Sequence, residues 1–459
     1  MYCGGCLRDN ALVAGLRKLG HEVLMVPLYL PLTLDEEDQS VGTPIFFGGI
    51  NVYLEQKAAL FRGAPAWLHD LFASRPLLQW AAGKAAKTRA ADLGELTLSM
   101  LRGEAGNQAR ELEKLIAWFK TQPKPDVLCL SNALLIGMAR RLKADLGAPV
   151  ACALQGEDAF LDGLPETHRA ACWRTLAERA AEVDLFVAPS CYFGDLMRER
   201  LGLPAQRVRV VHNGINLDGY EGEVRSPKSE VRSPRAEVQS AEVPALGFFA
   251  RMCPEKGLDT LVEAYILLRQ RGRTGNLKLR VGGSCGPADQ SFVNSLRERL
   301  QASGLLSGVE FHPNIDRAAK LGFLRSLSVF SVPARYGEAF GLYVIEAMAA
   351  GVPVVEPRVA AFPELIEATG GGVLCATDSP RALADAIEEL LLDQARARAL
   401  GVAGRRAVFE RFSAEAMARA MAQVYSELAS PAFPSLQPST TPSPHSGPTL
   451  GTIRAEGTG

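Results

Sequence analysis

PARYGEAFGLYVIEAMAAGVPVV, residues Pro333 to Val355, reads in three pieces. Tyr336-Gly337-Glu338-Ala339-Phe340-Gly341 is a loop that delivers the chain into a helix. Leu342 to Ala350 is that helix, and it is apolar enough to be buried. Gly351-Val352-Pro353 ends it, and a short strand follows. Glu338 and Glu346 stand eight positions apart, a spacing shared by Glu255/Glu263 and Glu356/Glu364, so context has to separate them. An ionised Glu346 on a buried helix needs a partner, because a lone buried carboxylate is very costly. The unsatisfied amides at the helix start attract anions, phosphate above all. A loop carboxylate, a phosphate-ready helix start and a second carboxylate about one turn in suit a sugar attached to a nucleoside diphosphate. The plain alternative is a structural helix whose Glu346 pairs with an Arg or Lys.

Outward from this stretch, short apolar runs alternate with helical ones on both sides. In residues 1–218 the strand candidates are Glu22–Leu28, Pro44–Phe47, Asp126–Leu130, Val150–Leu154, Leu185–Ala188 and Val208–Val211. In residues 244–411 they are Ala245–Ala250, Leu277–Val281, Val309–His312, Val329–Val332, Val352–Val355 and Gly372–Leu374. Such alternation predicts an α/β protein with two Rossmann-like, doubly wound parallel-sheet domains facing a cleft. Ligands of such sheets bind at the carboxyl ends of the strands. Residues 219–243, with the near-repeat Glu-Val-Arg-Ser-Pro, read as a low-complexity interdomain linker. Residues 412–429 predict a helix with Ser413 as N-cap. The Pro/Ser/Thr-rich residues 430–459 predict a disordered tail. Residues 55–122 form a mainly helical excursion with Phe61, Trp67, Phe72, Trp80 and Trp118. It reads as a helical subdomain with a small core of its own; closing over an acceptor, or a weak contact with a membrane surface, is the rival role.

Composition narrows the classes. The chain has 459 residues, a hydrophobic fraction of 47% and a net charge of −1, which suits a globular enzyme and gives no footprint for nucleic acid. No apolar run has transmembrane length. Nine cysteines, an odd number scattered along the chain, point to reduced thiols and a cytoplasmic protein. Cys3 and Cys6 form a C-x-x-C without a second pair at zinc-ligand spacing, and they read as small residues packing a Gly-rich turn. No Asp-x-Asp metal motif occurs, so no metal and no cofactor are expected.

Arg251 and Lys256 follow the strand Ala245–Ala250 and precede a helix from Leu258. Two cations at a strand's carboxyl end can neutralise a diphosphate. Gly4-Gly5 precedes a helix to about Leu19, and Gly282-Gly283 follows another strand; glycine lets a backbone approach a ligand closely. The chain opens directly on Gly4-Gly5, where a doubly wound domain needs a central strand first, so an upstream strand is expected to be missing from the record.

These strings closely resemble the family 4 retaining glycosyltransferases (glycosyl transferases group 1), whose fold is the glycosyltransferase-B type. The resemblance covers most of residues 1–429. It implies that Glu338 binds donor-sugar hydroxyls, that Glu346 binds the ribose, and that amides of Phe340-Gly341-Leu342 contact sugar or phosphate. It also implies that Arg251 and Lys256 stabilise the departing diphosphate, and that Gly4, Gly5 and Gly282 approach the donor. The C-terminal helix is expected to return to the first domain. The implied activity is a retaining, metal-independent hexosyl transfer from a UDP-, GDP- or ADP-sugar to an unidentified glycan, lipid or small molecule, within carbohydrate biosynthesis. Many relatives carry a His where Gln155 stands, and Gln cannot act as a base near neutral pH, so no general base is assigned. Glu157 and Asp158 are candidate acceptor contacts or loop and cap residues. Ser190 and His212-Asn213-Gly214-Ile215-Asn216 match the family's positions near the hinge. A catalytically inactive sugar-nucleotide binder and a sugar-nucleotide epimerase are the rival readings; a donor screen discriminates them.

Overall fold

The structure is a computed structural model that describes residues 4–28, 36–47, 90–222 and 243–431. Most of the linker, residues 55–89 of the excursion and residues 432–459 of the tail lie outside them, as does Cys3.

Two parallel sheets form. The first has the order β1-β2-β3-β4, with β1 Leu128–Leu130, β2 Val150–Ala153, β3 Leu185–Ala188 and β4 Val208–Val210. Its central strands β2 and β3 are apolar and buried on both faces, as strands covered on both sides must be, whereas the edge strand β4 exposes Arg209 and Val210. Cys152, Phe186 and Ala188 point into a core shared with helices on one face. Ala151, Leu185 and Val187 point the other way, against Leu12, Leu16, Met417 and Met421. Those last residues belong to helices Gly4–Lys18 and Ala414–Ala429, so the end of the chain packs on the start of the first domain. At their crossing an added Cβ on Gly15 would lie 2.7 Å from Ala418 Cβ, which is why a glycine stands there. Ser413 caps the returning helix by accepting from the Ala416 amide.

The second sheet has the order β10-β9-β8-β5-β6-β7, with β5 Ala245–Phe249, β6 Lys278–Gly283, β7 Val309–Pro313, β8 Val329–Phe330, β9 Val354–Pro357 and β10 Gly372–Cys375. Chain order reverses between β5 and β8, and a ligand crevice is expected outside the carboxyl ends at such a switch point. Arg251 and Lys256 follow β5, and the Pro333–Gly341 loop follows β8. The fold thus brings the two strings to one place.

Three expectations need correction. Glu22–Leu28 and Pro44–Phe47 form no strands. Their polar groups are taken individually: Arg17 donates to the Val23 carbonyl at 2.7 Å, and Thr43 Oγ1 donates to the Met25 carbonyl at 2.9 Å. One backbone bond, from the Phe46 amide to the Pro27 carbonyl at 3.4 Å, joins the two segments, and no ladder follows from it. Gly4 and Gly5 do not precede the first helix; they are its first two residues, where amides have no intrahelical acceptor in any case. The described part of the excursion has no separate core. Leu101, Leu112, Leu115 and Ile116 of helices Ala90–Arg102 and Ala109–Phe119 are buried in the main core of the first domain, and Trp118 packs on Phe46 at 5.5 Å.

Candidate active site

Gly341 takes φ +91° and turns the loop into helix Leu342–Ala349. A side chain is strained in that conformation, and glycine is free to adopt it. No side chain caps this helix, so its first-turn amides keep their capacity for an anion. Phe340, just before the turn, is buried. Leu342 meets the other domain: an added Cβ on Gly4 would lie 3.8 Å from Leu342 Cδ1. The first residues of helices Gly4–Lys18 and Leu342–Ala349 are therefore close neighbours.

Glu338 sits beside this junction. Lys256 Nζ donates to its Oε2, and the Tyr343 hydroxyl donates to the same oxygen at 2.9 Å. Lys256 Nζ also lies 5.4 Å from the Tyr343 ring centroid. Burial pushes the Tyr343 hydroxyl well above its usual pKa, and the Glu338 charge adds to that, so it stays a donor. Lys256 ends a short turn, Pro254–Lys256, closed by Gly257 at φ +69°. An added Cβ on Gly257 would meet the Pro333 carbonyl oxygen at 1.9 Å, so the cation's loop and the carboxylate's loop lie backbone to backbone.

Glu346 pairs with Lys320 at 2.6 Å, both side chains mostly buried. This is the partner its position demanded. Arg251 turns to Asp289, with Nη2 to Oδ1 at 2.8 Å and Nε at 3.1 Å from both oxygens. Lys256, Tyr343 and Gly341 thus gather around Glu338, and Gly4 neighbours Leu342, while Arg251 and Glu346 are each held by their own counter-ion. Gly282 lies inside β6, where an added Cβ would strike the Phe249 ring at 2.6 Å; the close approach it permits here is that of Phe249.

In the first domain, Gln155 Nε2 donates to the Ser131 carbonyl at 2.9 Å and to Asp9 at 3.2 Å. Glu157 accepts from the Ala133 and Gln155 amides at 2.8 and 2.9 Å, which is a structural use. Asp158 is buried, and its Oδ1 finds no partner among the described residues.

Sequence reasoning missed Tyr343, Lys320 and Asp289. Tyr343 carried a signal, being the second residue of the helix that Glu338's loop opens. Lys320 and Asp289 carried none, because only the fold brings them in. It also passed over Glu356, which is fully buried on β9. Its Oε1 accepts from the Val332 amide at 3.2 Å and its Oε2 has no partner among the described residues. Burial pushes this carboxyl well above the usual range; the Val332 contact opposes the shift and the Glu338 charge adds to it. No group of residues suited to a metal ion occurs among the described residues, and no helix there is long and apolar enough to cross a membrane.

Residues 94–218 match the family model described as Glycosyltransferase Family 4, and residues 232–407 match Glycosyl transferases group 1. The lipopolysaccharide core biosynthesis mannosyltransferase LpsB of Rhizobium meliloti is 37% identical over 191 residues, 40% of this chain and 51% of that protein. The GDP-mannose-dependent alpha-(1-6)-phosphatidylinositol monomannoside mannosyltransferase of Mycobacterium tuberculosis is 33% identical over 170 residues, 36% of this chain and 42% of that one. The chain thus spans about half the length of the curated relatives it matches. Sucrose-phosphate synthase from Thermosynechococcus elongatus superposes with a TM-score of 0.57 at 24% identity, over 70% of this chain and 78% of its own. HepE of Anabaena in complex with UDP gives 0.57 at 17% identity, over 88% and 100%. At these identities the likeness speaks for the fold, which is that of the two-domain glycosyltransferase-B proteins.

Proposed function

The chain belongs to the family 4 glycosyltransferases, and on that premise we propose that it moves a sugar from a nucleoside-diphosphate donor to a hydroxyl acceptor with retention at the anomeric carbon. The observation that carries this reading is the contact of Lys256 and Tyr343 with one oxygen of Glu338, at the sheet's switch point and beside the uncapped start of helix Leu342–Ala349. Lys256 and the first amides of helix Leu342–Ala349 would take the diphosphate, and Glu338 would take sugar hydroxyls. Glu346 would take the ribose. Arg251 would add a second cation once it releases Asp289.

The bond from the anomeric carbon to the diphosphate oxygen breaks, and the electron pair leaves with the diphosphate. An oxocarbenium-like centre results, and the cations and helix dipole stabilise the leaving charge. The acceptor oxygen bonds to the same face. Its proton passes to the departing phosphate oxygen, so no protein nucleophile and no metal are required by the scheme. Domain closure would keep water from the same carbon.

The donor base and sugar are tested by a screen of UDP-, GDP- and ADP-sugars, reading nucleotide release and thermal shift. GDP-mannose comes first, since the name of one similar protein specifies it. Nucleotide release with at least one donor is the expected result. Thermal shifts without release would favour an inactive sugar-nucleotide binder, and neither signal with any donor would overturn the reading.

A further inference from the structure

Glu364 stands on helix Phe362–Thr369 of the second domain, yet among the described residues the hydrogen bonds of its carboxylate run to residues on the other side of the linker. It accepts from the Cys191 amide at 2.9 and 3.0 Å and from the Tyr192 amide at 3.3 Å. These are the opening amides of helix Cys191–Leu201, whose dipole favours a negative charge there. The same carboxylate meets His212 Nε2 at 2.8 Å. Burial alone would raise the Glu364 carboxyl. The His212 contact and the two amides outweigh burial and hold it below the usual range.

The partners of Glu364 also touch the loop that carries Glu338. The His212 ring packs on Phe340 at 6.1 Å and on Phe412 at 5.4 Å. Ser190, the N-cap of helix Cys191–Leu201, donates its hydroxyl to the Ala339 carbonyl at 2.7 Å. The Tyr192 hydroxyl lies against Gly337: an added Cβ there would meet it at 2.3 Å. The Ala361 amide, just before Glu364's helix, donates to the Glu338 carbonyl at 3.3 Å. Residues 337 to 340 are therefore gripped between the first turn of a first-domain helix and the Glu364 helix.

We propose that Glu364 and His212 are positioning residues that couple the seating of the first domain to the placement of Glu338, so that the donor-sugar contact is set by interdomain closure. A carboxylate satisfied by three groups across the cleft ties closure to one side chain. The loop bearing Glu338 lies within that tie, so a change of seating changes where Glu338 points. For turnover this rests on the transferase reading; for domain seating it does not.

The test uses the full chain and two measurements. Glu364→Ala should enlarge the radius of gyration measured by solution X-ray scattering without nucleotide. It should also lower kcat with GDP-mannose or UDP-glucose at least tenfold, with the donor KM within threefold. Glu364→Gln, whose amide oxygen can still accept the Cys191 and Tyr192 amides, should recover most of both effects. His212→Phe keeps a ring on Phe340 but loses the bond to Glu364, and should resemble Glu364→Ala. His212→Gln can restore an N–H at that point and should resemble the wild type. A general packing role would predict the reverse at His212: His212→Phe, which keeps a ring on Phe340, would resemble the wild type, and His212→Gln would not. Unchanged scattering in Glu364→Ala overturns the proposal even if no donor turns over. A fall in UDP and GDP affinity as large as the fall in kcat overturns it too. Absence of turnover in the wild type would count against the transferase reading alone.

Discussion

Lys256 and Glu338, 82 positions apart in sequence, share one ion pair between the loop after β5 and the loop after β8, and Tyr343 donates to the same carboxylate oxygen. The pair neutralises its own charge. A diphosphate arriving at Lys256 must therefore compete with Glu338, and the carboxylate released is then available to sugar hydroxyls. Glu338→Gln should lower transfer about 10²-fold, the scale of a lost charge-assisted contact in a closed site. It should leave UDP or GDP binding no weaker, because Lys256 is set free. Glu346→Gln should also lower transfer about 10²-fold by the same reasoning. Glu263→Gln, an exposed pair with Arg299, is the control. Wild-type rates in both motif variants would remove the donor site from this cleft.

Lys256→Ala should weaken nucleoside-diphosphate binding far more than free-nucleoside binding, since its ammonium would meet phosphate and not the base. Calorimetry with UDP and uridine, or GDP and guanosine, reads the difference directly. Equal weakening would place Lys256 away from the phosphates. Activity should persist in EDTA on the proposed scheme; complete loss, restored by Mg²⁺ or Mn²⁺, would sink it.

Strands of the second domain were legible either as short apolar runs, as Val352–Val355 is, or as alternation of apolar and polar residues, as in Leu277–Val281, where Lys278 and Arg280 pair with Glu310. Their edges shifted by a residue or two where a loop resumes. Glu22–Leu28 also read as a strand, but a single backbone bond, Phe46 to Pro27, ties it to Pro44–Phe47, and pairing is decided by what lies alongside. The Glu338 string was legible because loop, glycine turn and apolar helix are local. Lys320, Asp289 and the Glu364 contacts were not, because each joins segments far apart in sequence. Glu356 and Glu364 were set aside as a spacing coincidence, although one proves to be buried and the other bridges the domains.

Ala360 holds φ +56°, a left-handed conformation that costs a side-chain-bearing residue about 1 kcal/mol. It precedes Ala361, whose amide reaches the Glu338 carbonyl. Ala360→Gly should relieve that strain and raise the melting temperature by about 2 °C. If the turn instead loosens Glu338, kcat should fall while the melting temperature rises. A lower melting temperature with the substitution would mean that the methyl group's packing outweighs the strain.

Glu356 offers the clearest dependence on pH. Its folded carboxyl binds a proton well above the ordinary carboxylate range because it is buried, whereas an unfolded chain would lose that proton near pH 4.5. Between those two values the folded state holds more protons than the unfolded one, so stability from this group is complete below about pH 4.5 and falls as pH rises. Glu356→Gln keeps an acceptor for the Val332 amide and cannot ionise. The variant should match the wild type in acid and exceed it increasingly from pH 5 upward, read as the difference between melting temperatures across a pH series. Parallel curves over the whole range would mean that Glu356 meets a compensating charge on folding. Among the described residues the cation whose field bears on Glu356 is Lys256, and drawn inward from Glu338 it would no longer be available to a diphosphate.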